Sequence, residues 1–307
     1  MTKSLILPLI CSLLPGLCFA NSTAPYANQE AIVDTMFVAA MSSPSPDAAI
    51  TALICIAEGT PEKVPPAIAG TSGMPTGEED RALFRNVTVR VHSVQRLGES
   101  GNQVAFAYLQ SLTSTGPTGT RKRGDAARVQ WAAQVGLGQA RLLNITSQQQ
   151  KIEFLEGVLR GSGLGDELWS ANQLCDMGSM PSLGLIEKLM RDLYSGAAAE
   201  DMIQYCEARI RVLASESDRG TALAKALRIS GDQKDLRMIN WAVAQLTELD
   251  TPAADAAIDQ FAAQIRSLPH TSPESRNLAF VPSDLTYLRD HRSRITRPTR
   301  LRPVRAQ

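Results

Sequence analysis

The chain has 307 residues, of which 44% are hydrophobic and only 5% aromatic. That length exceeds a typical domain of about 100–200 residues and allows two compact units, while an Ala-rich, aromatic-poor composition disfavours a sandwich of bulky strands and favours closely packed helices. The formal net charge is zero, yet the total conceals a segregation: residues 266–307 hold nine Arg against Glu274, Asp284 and Asp290, a balance of +6, and residues 21–265 carry −7.

At the start, Lys3 precedes an apolar run from Leu5 to Leu14 that breaks at Pro15-Gly16 and ends in Cys18-Phe19-Ala20. This is the layout of a secretory signal peptide, with the small side chains of Cys18 and Ala20 set for cleavage near Ala20-Asn21. The run is shorter than the roughly 20 residues that cross a hydrocarbon core, and Pro8 and Pro15 interrupt it. An exported protein, periplasmic or secreted, with no transmembrane span in the mature chain is therefore expected.

Four segments follow from the pattern: a signal at 1–20, a helical pair plus β-hairpin region at 21–146, a helical bundle at 147–266, and an Arg/Pro-rich tail without regular structure at 267–307. Gln29 to Met41 reads as an Ala-rich helix. Pro46 to Ala57 reads as a second, with Ser45 as N-cap and Gly59 just past the end. A loop rich in Gly, Ser, Thr and Pro is expected from Gly70 to Glu79. Val87, Val89 and Val91 then alternate with Thr88, Arg90 and His92, and after Gly98-Glu99-Ser100-Gly101-Asn102 the alternation resumes with Val104, Phe106 and Tyr108. Alternating β-branched and aromatic residues around a Gly-containing turn predict a β-hairpin. Ser111 to Asp125 reads as a loop. Val129 to Val135 and Ala140 to Ile145 extend the hairpin into a small meander, or form short helices separated by Gly136-Leu137-Gly138.

Beyond Ser147 the period is helical. Ile152, Leu155 and Leu159 form one stripe, Leu183, Ile186, Leu189 and Leu193 a second, and Ile203, Cys206, Ile210 and Leu213 a third. The clearest are Leu236, Ile239, Val243 and Leu246, then Ile258, Phe261 and Ile265, the last helix opening with Thr251 as N-cap and Pro252 at N1. The fold class expected is mainly α, a helical bundle with a small β-hairpin or meander insertion, α+β but helix-dominated.

Catalytic and metal-binding patterns are poor. The three His, at 92, 270 and 291, show no helical ligand spacing, and Gly161-Ser162-Gly163-Leu164-Gly165 follows a helix rather than a strand, reading as a connection that ends at the N-cap Asp166 rather than as a phosphate cradle. His92 falls on the polar face of the predicted strand. No cofactor is implied, and no residue is assigned to catalysis, cofactor binding or a metal. Three N-x-S/T triplets occur, at Asn21, Asn86 and Asn144. Cleavage leaves Cys55, Cys175 and Cys206. Cys55 reads as a buried thiol within an apolar run, and Cys175 with Cys206 is the disulfide candidate, closing a loop of about 30 residues that contributes about 3 kcal/mol.

The tail carries the one direct physical implication. Arg289, Arg292, Arg294, Arg297, Arg300, Arg302 and Arg305, interleaved with Pro298 and Pro303, make a cationic strip suited to forked hydrogen bonds with phosphate or carboxylate. The anions it would contact are an envelope surface, an acidic glycan or an acidic protein; nucleic acid gains no support, because no base-stacking aromatic accompanies the Arg. The expected function is an exported non-catalytic structural or interaction protein of the cell envelope or extracellular space. A secreted or periplasmic hydrolase without a recognisable motif and a periplasmic chaperone or assembly adaptor are the alternatives.

Overall fold

The computed structural model describes residues 26–43, 46–114, 124–163, 165–233, 235–249 and 251–267. The signal segment, Ser45 and the Arg-rich tail lie outside the described residues. Among those described there are fourteen α-helices and no strand. They divide into two compact units, with the division between Ser170 and Ala171.

The first unit begins with α1 (Ala27–Ser42) and α2 (Asp47–Glu58). Val33, Met36, Phe37 and Ala40 recur at helical spacing and are all buried, so α1 turns one stripe inward. Helix α2 ends at Gly59, whose φ of 76° is left-handed and lets the Thr60 amide reach the Cys55 carbonyl at 2.9 Å, closing the last turn. The Gly70–Glu79 stretch is not wholly loop: α3 (Pro66–Ser72) and α4 (Glu78–Ala82) occupy its two ends.

The predicted hairpin is helical. Val87–Glu99 forms α5 and Gln103–Ser114 forms α6. The β-branched alternation is overridden because the same residues satisfy a helix better. The Asn86 side chain accepts the Thr88 amide at 2.9 Å as an N-cap. Val87 and Val94, with Val89, Ser93 and Leu97, then spread over one broad buried face. In the second run Val104 is 47% exposed while Ala105 and Leu109 are fully buried. The buried pair is spaced four apart, and the alternating set is split, with Val104 facing out while Phe106 and Tyr108 pack partly buried against the core. The apparent hairpin turn is a helix–helix corner: Gly101 takes φ 62°, and Asn102 Oδ1 accepts the amides of Val104 at 2.8 Å and Ala105 at 3.3 Å, capping α6.

Residues 129–145 likewise belong to no sheet. They lie mostly in one helix, α7 (Asp125–Leu143), that runs straight through Gly136-Leu137-Gly138. These glycines serve approach rather than punctuation. A Cβ on Gly98 would stand 2.5 Å from the Gly136 Cα and 2.8 Å from its carbonyl oxygen, so the backbones of α5 and α7 touch. A Cβ on Gly138 would meet the Trp169 ring at 2.5 Å. Helix α5 thereby becomes the hub of the unit, packed on α1, α2, α6 and α7. Gly98→Ala is expected to cost about 2–3 kcal/mol, because backbone rather than a flexible side chain must yield. Gly157→Ala, in α8 (Gln148–Leu159) with nothing near its Cβ position, should instead gain about 0.5–1 kcal/mol. Urea unfolding followed by circular dichroism checks both signs.

The connection after α8 leads to α9 (Glu167–Asp176), whose N-cap is Asp166, its Oδ1 accepting the Trp169 amide at 2.7 Å.

The second unit holds α10 (Leu183–Leu193), α11 (Ala197–Ala214), α12 (Arg219–Gln233), α13 (Leu236–Leu249) and α14 (Pro252–Ser267). Its core is built from the stripes read in the sequence: Ile239, Val243 and Leu246 on α13, and Ile258, Phe261 and Ile265 on α14, are all buried together with Leu223 and Leu227 of α12. Thr251 Oγ1 accepts the Ala254 amide at 3.2 Å, capping α14. No described helix is long and apolar enough to cross a membrane.

Candidate functional site

Buried charge is rare in a protein interior unless it is paired, so the two buried ionic clusters, one in each unit, are where chemistry is most concentrated. In the first unit, Asp34 on α1 faces His92 and Arg96 on α5. Asp34 Oδ1 accepts from His92 Nε2 at 2.8 Å and from Arg96 Nε at 2.6 Å. All three side chains are about nine-tenths shielded. Arg96 also pairs with Glu99 and lies over the Phe37 ring, 5.4 Å from its centroid. One α-helical turn separates His92 from Arg96, which stacks both donors on the same side of α5.

The sequence reading of His92 as an exposed residue on a strand is therefore corrected: it is a buried helical residue, 7% exposed. At helical period the predicted polar face is split: His92 turns toward Asp34, while Arg90 Nε donates to the Ala57 carbonyl at 2.9 Å.

Burial alone would push the Asp34 carboxyl up; the hydrogen bond and charge of His92 and the Arg96 guanidinium outweigh it and hold the group below the ordinary carboxylate value. An acid whose native pKa is depressed contributes stability that is present above its unfolded value, near pH 4, and that is lost as pH falls through the native value. Glu30, one turn earlier on α1, is shifted the other way, chiefly by burial, and opposes folding as it ionises. Asp34→Asn is expected to lower the melting temperature at pH 7 and to flatten its decline on acidification. A series of thermal melts from about pH 7 down to pH 2 measures this.

In the second unit, Arg209 on α11 is fully buried. Its guanidinium donates to Asp176 Oδ1, to Asn172 Oδ1 at 3.0 Å and to the Asn172 carbonyl at 3.2 Å. It lies between two aromatic faces, 5.2 Å from the Tyr205 centroid and 5.6 Å from the Trp241 centroid. Trp241 Nε1 donates to the same Asp176 oxygen at 2.8 Å, and Arg219 donates to the Asp176 backbone carbonyl at 2.7 Å. Desolvation works against the charged Arg209, but the Asp176 carboxylate overcomes it and keeps the guanidinium firmly protonated. Burial dominates at Tyr205 and pushes its phenol up to about 12.

Beside this pair lie Cys175 and Cys206, both fully buried and both free thiols. Each thiol perturbs the other: Cys206 pushes Cys175 up, with burial adding to the effect, and Cys175 draws Cys206 down against the effect of burial, with Arg209 helping. The disulfide expected between these two cysteines is absent from this structure, which holds both as free thiols on α9 and α11. Cys55 is the third buried thiol, on α2 of the first unit.

The seven Arg from Arg289 to Arg305 lie outside the described residues, as do His270 and His291. Among the described residues no group of three or more His, Cys, Asp or Glu is placed to hold a metal ion. Of the sequon residues, Asn86 is engaged as the α5 cap, and Asn144 donates its side-chain amide to the Ala140 carbonyl at 3.0 Å.

Sequence reasoning missed Asp34, Arg96, Asp176 and Arg209. A signal was present: Asp34 directly follows Val33 and precedes Met36-Phe37, and Arg209 interrupts the stripe between Cys206 and Ile210. A charge inside an apolar stripe must be neutralised locally, so each announces a partner without naming it.

No protein family, curated protein or solved structure matches this chain.

Proposed function

We propose that this chain is an exported, non-catalytic structural or interaction protein of the cell envelope or extracellular space, and that its Arg-rich C-terminal strip contacts an anionic surface. The observation that carries this reading is the placement of charge. Residues 171–265 hold fourteen acids against nine bases, a balance of −5 out of the −7 of residues 21–265, and are followed directly by the segment of +6. Such opposition of an acidic body and a basic tail orients the protein at a negative surface, with the tail toward it and the body away. Near an anionic lipid surface each Arg contributes about 1 kcal/mol, an attraction that salt screens. The buried charges of the two units support the reading, since Asp34 and Arg209 direct their hydrogen bonds to neighbouring side chains and backbone and so hold helices together.

The test compares the full chain with a variant in which Arg289, Arg292, Arg294, Arg297, Arg300, Arg302 and Arg305 are all replaced by Gln. Binding to anionic vesicles, to an acidic polysaccharide and to DNA is followed across a salt series. The native chain should bind the vesicles with an affinity that falls steeply with salt, and the variant should lose that binding. Equal binding by both would remove the tail from the function.

One observation favours a second reading, a hydrolase: the His92 imidazole is oriented by a buried carboxylate, an arrangement that general bases use. Ester or amide turnover that disappears in His92→Gln, while the melting temperature is kept, would favour it.

A further inference from the structure

We propose that Cys175 and Cys206 are joined by a disulfide in the exported protein, linking α9 to α11 beside the Arg209–Asp176 ion pair. The proposal rests on the export reading for its oxidising surroundings; the geometry stands apart from that reading. Three observations carry it. The two thiols lie near enough to perturb each other's protonation. The same two helices are tied by the Asp176–Arg209 pair, whose members lie one residue beyond Cys175 and one turn beyond Cys206. The surroundings are dry, both thiols being wholly inaccessible. A bond of about 2.05 Å between the sulfurs would then close the same seam of α9 and α11 that the Asp176–Arg209 pair already holds.

The chemistry is dithiol–disulfide exchange. One cysteine thiolate attacks a sulfur of a small disulfide, such as oxidised glutathione, giving a mixed disulfide and releasing one donor thiolate. The second cysteine, deprotonated, attacks the mixed disulfide at the protein sulfur, and the other donor thiolate leaves. The two cysteines lose two protons and two electrons, and the donor disulfide becomes two thiols. Because neither sulfur is accessible in the folded unit, the mixed disulfide forms before α9 and α11 close on one another. Two consequences follow: the folded, reduced protein oxidises slowly, and the finished bridge resists reductant until the unit unfolds.

The experiment refolds the purified, reduced full chain in a glutathione redox buffer, blocks free thiols, and maps the cysteines by mass spectrometry. A Cys175–Cys206 cross-link is expected, with Cys55 recovered as a thiol that alkylates only after denaturation. The oxidised protein should melt roughly 5–10 °C above the reduced form. This difference should vanish in Cys206→Ala and persist in Cys55→Ala. Recovery of Cys175 and Cys206 as free thiols, or of a bridge to Cys55, would overturn the proposal. The intact mass of protein from its native source separates this from the export reading: a chain that retains Met1 yet forms the bridge on refolding would sink export alone.

Discussion

A chain carrying Ile239→Asp is expected to lose the fold of its second unit. Ile239 is fully buried and shares its core with Leu223, Trp241, Leu246 and Phe261. The substitution removes the burial of a large aliphatic side chain, worth about 2–3 kcal/mol, and places a carboxylate where no described donor serves it, at a further cost of several kcal/mol. The sum approaches the whole stability of a typical domain, about 5–15 kcal/mol. Ile239→Val deletes one methylene and should cost only about 1 kcal/mol. Hydrogen exchange read by mass spectrometry discriminates the two: amides of α11 to α14 should exchange freely in Ile239→Asp and stay protected in Ile239→Val. Retained protection in the Asp variant would mean that residue 239 does not face a shared core.

The next largest effect is expected at Asp176. Asp176→Ala leaves Arg209 buried and charged, with Asn172 as its remaining hydrogen-bond partner, and breaking a buried pair from one side costs about 3–5 kcal/mol. Arg209→Met should cost less. It removes the more deeply buried partner, and the Asp176 side chain, 21% exposed, keeps access to water and the Trp241 donor. The double variant Asp176→Leu with Arg209→Met should be more stable than Asp176→Ala alone, since no orphan charge remains. Denaturant midpoints for the three variants give the order directly. An Asp176→Ala midpoint equal to that of the native chain would refute the ion pair.

What the sequence made legible was the period of residues that pack. The stripes of α13 and α14 were visible because large aliphatic and aromatic side chains recur there at three- and four-residue spacing, Ile239, Val243 and Leu246 on one helix and Ile258, Phe261 and Ile265 on the other. The same reasoning failed at Val87–Tyr108, where β-branched residues happen to alternate. Period alone could not choose there, because Val87, Val91 and Val94 also fit a helix, and the decision came from the caps of Asn86 and Asn102 and from packing. Glycine was read as punctuation at 136 and 138, although its role is to let another helix or ring approach. The clusters around Asp34 and Arg209 were not legible, since each joins residues from helices far apart in sequence. Proximity of Cys175 and Cys206 likewise depends on how α9 and α11 meet, which their spacing of 31 positions leaves open.

The contact between Gly98 and Gly136 bears on how this chain can evolve. A seam made of bare main chain has no rotamers with which to accommodate a newcomer, so neighbouring layers can drift in size and shape while this one stays fixed. Among descendants of a common ancestor, Val94 and Leu97 should wander among aliphatic types, whereas position 98 should tolerate nothing bulkier than hydrogen unless α5 and α7 separate together.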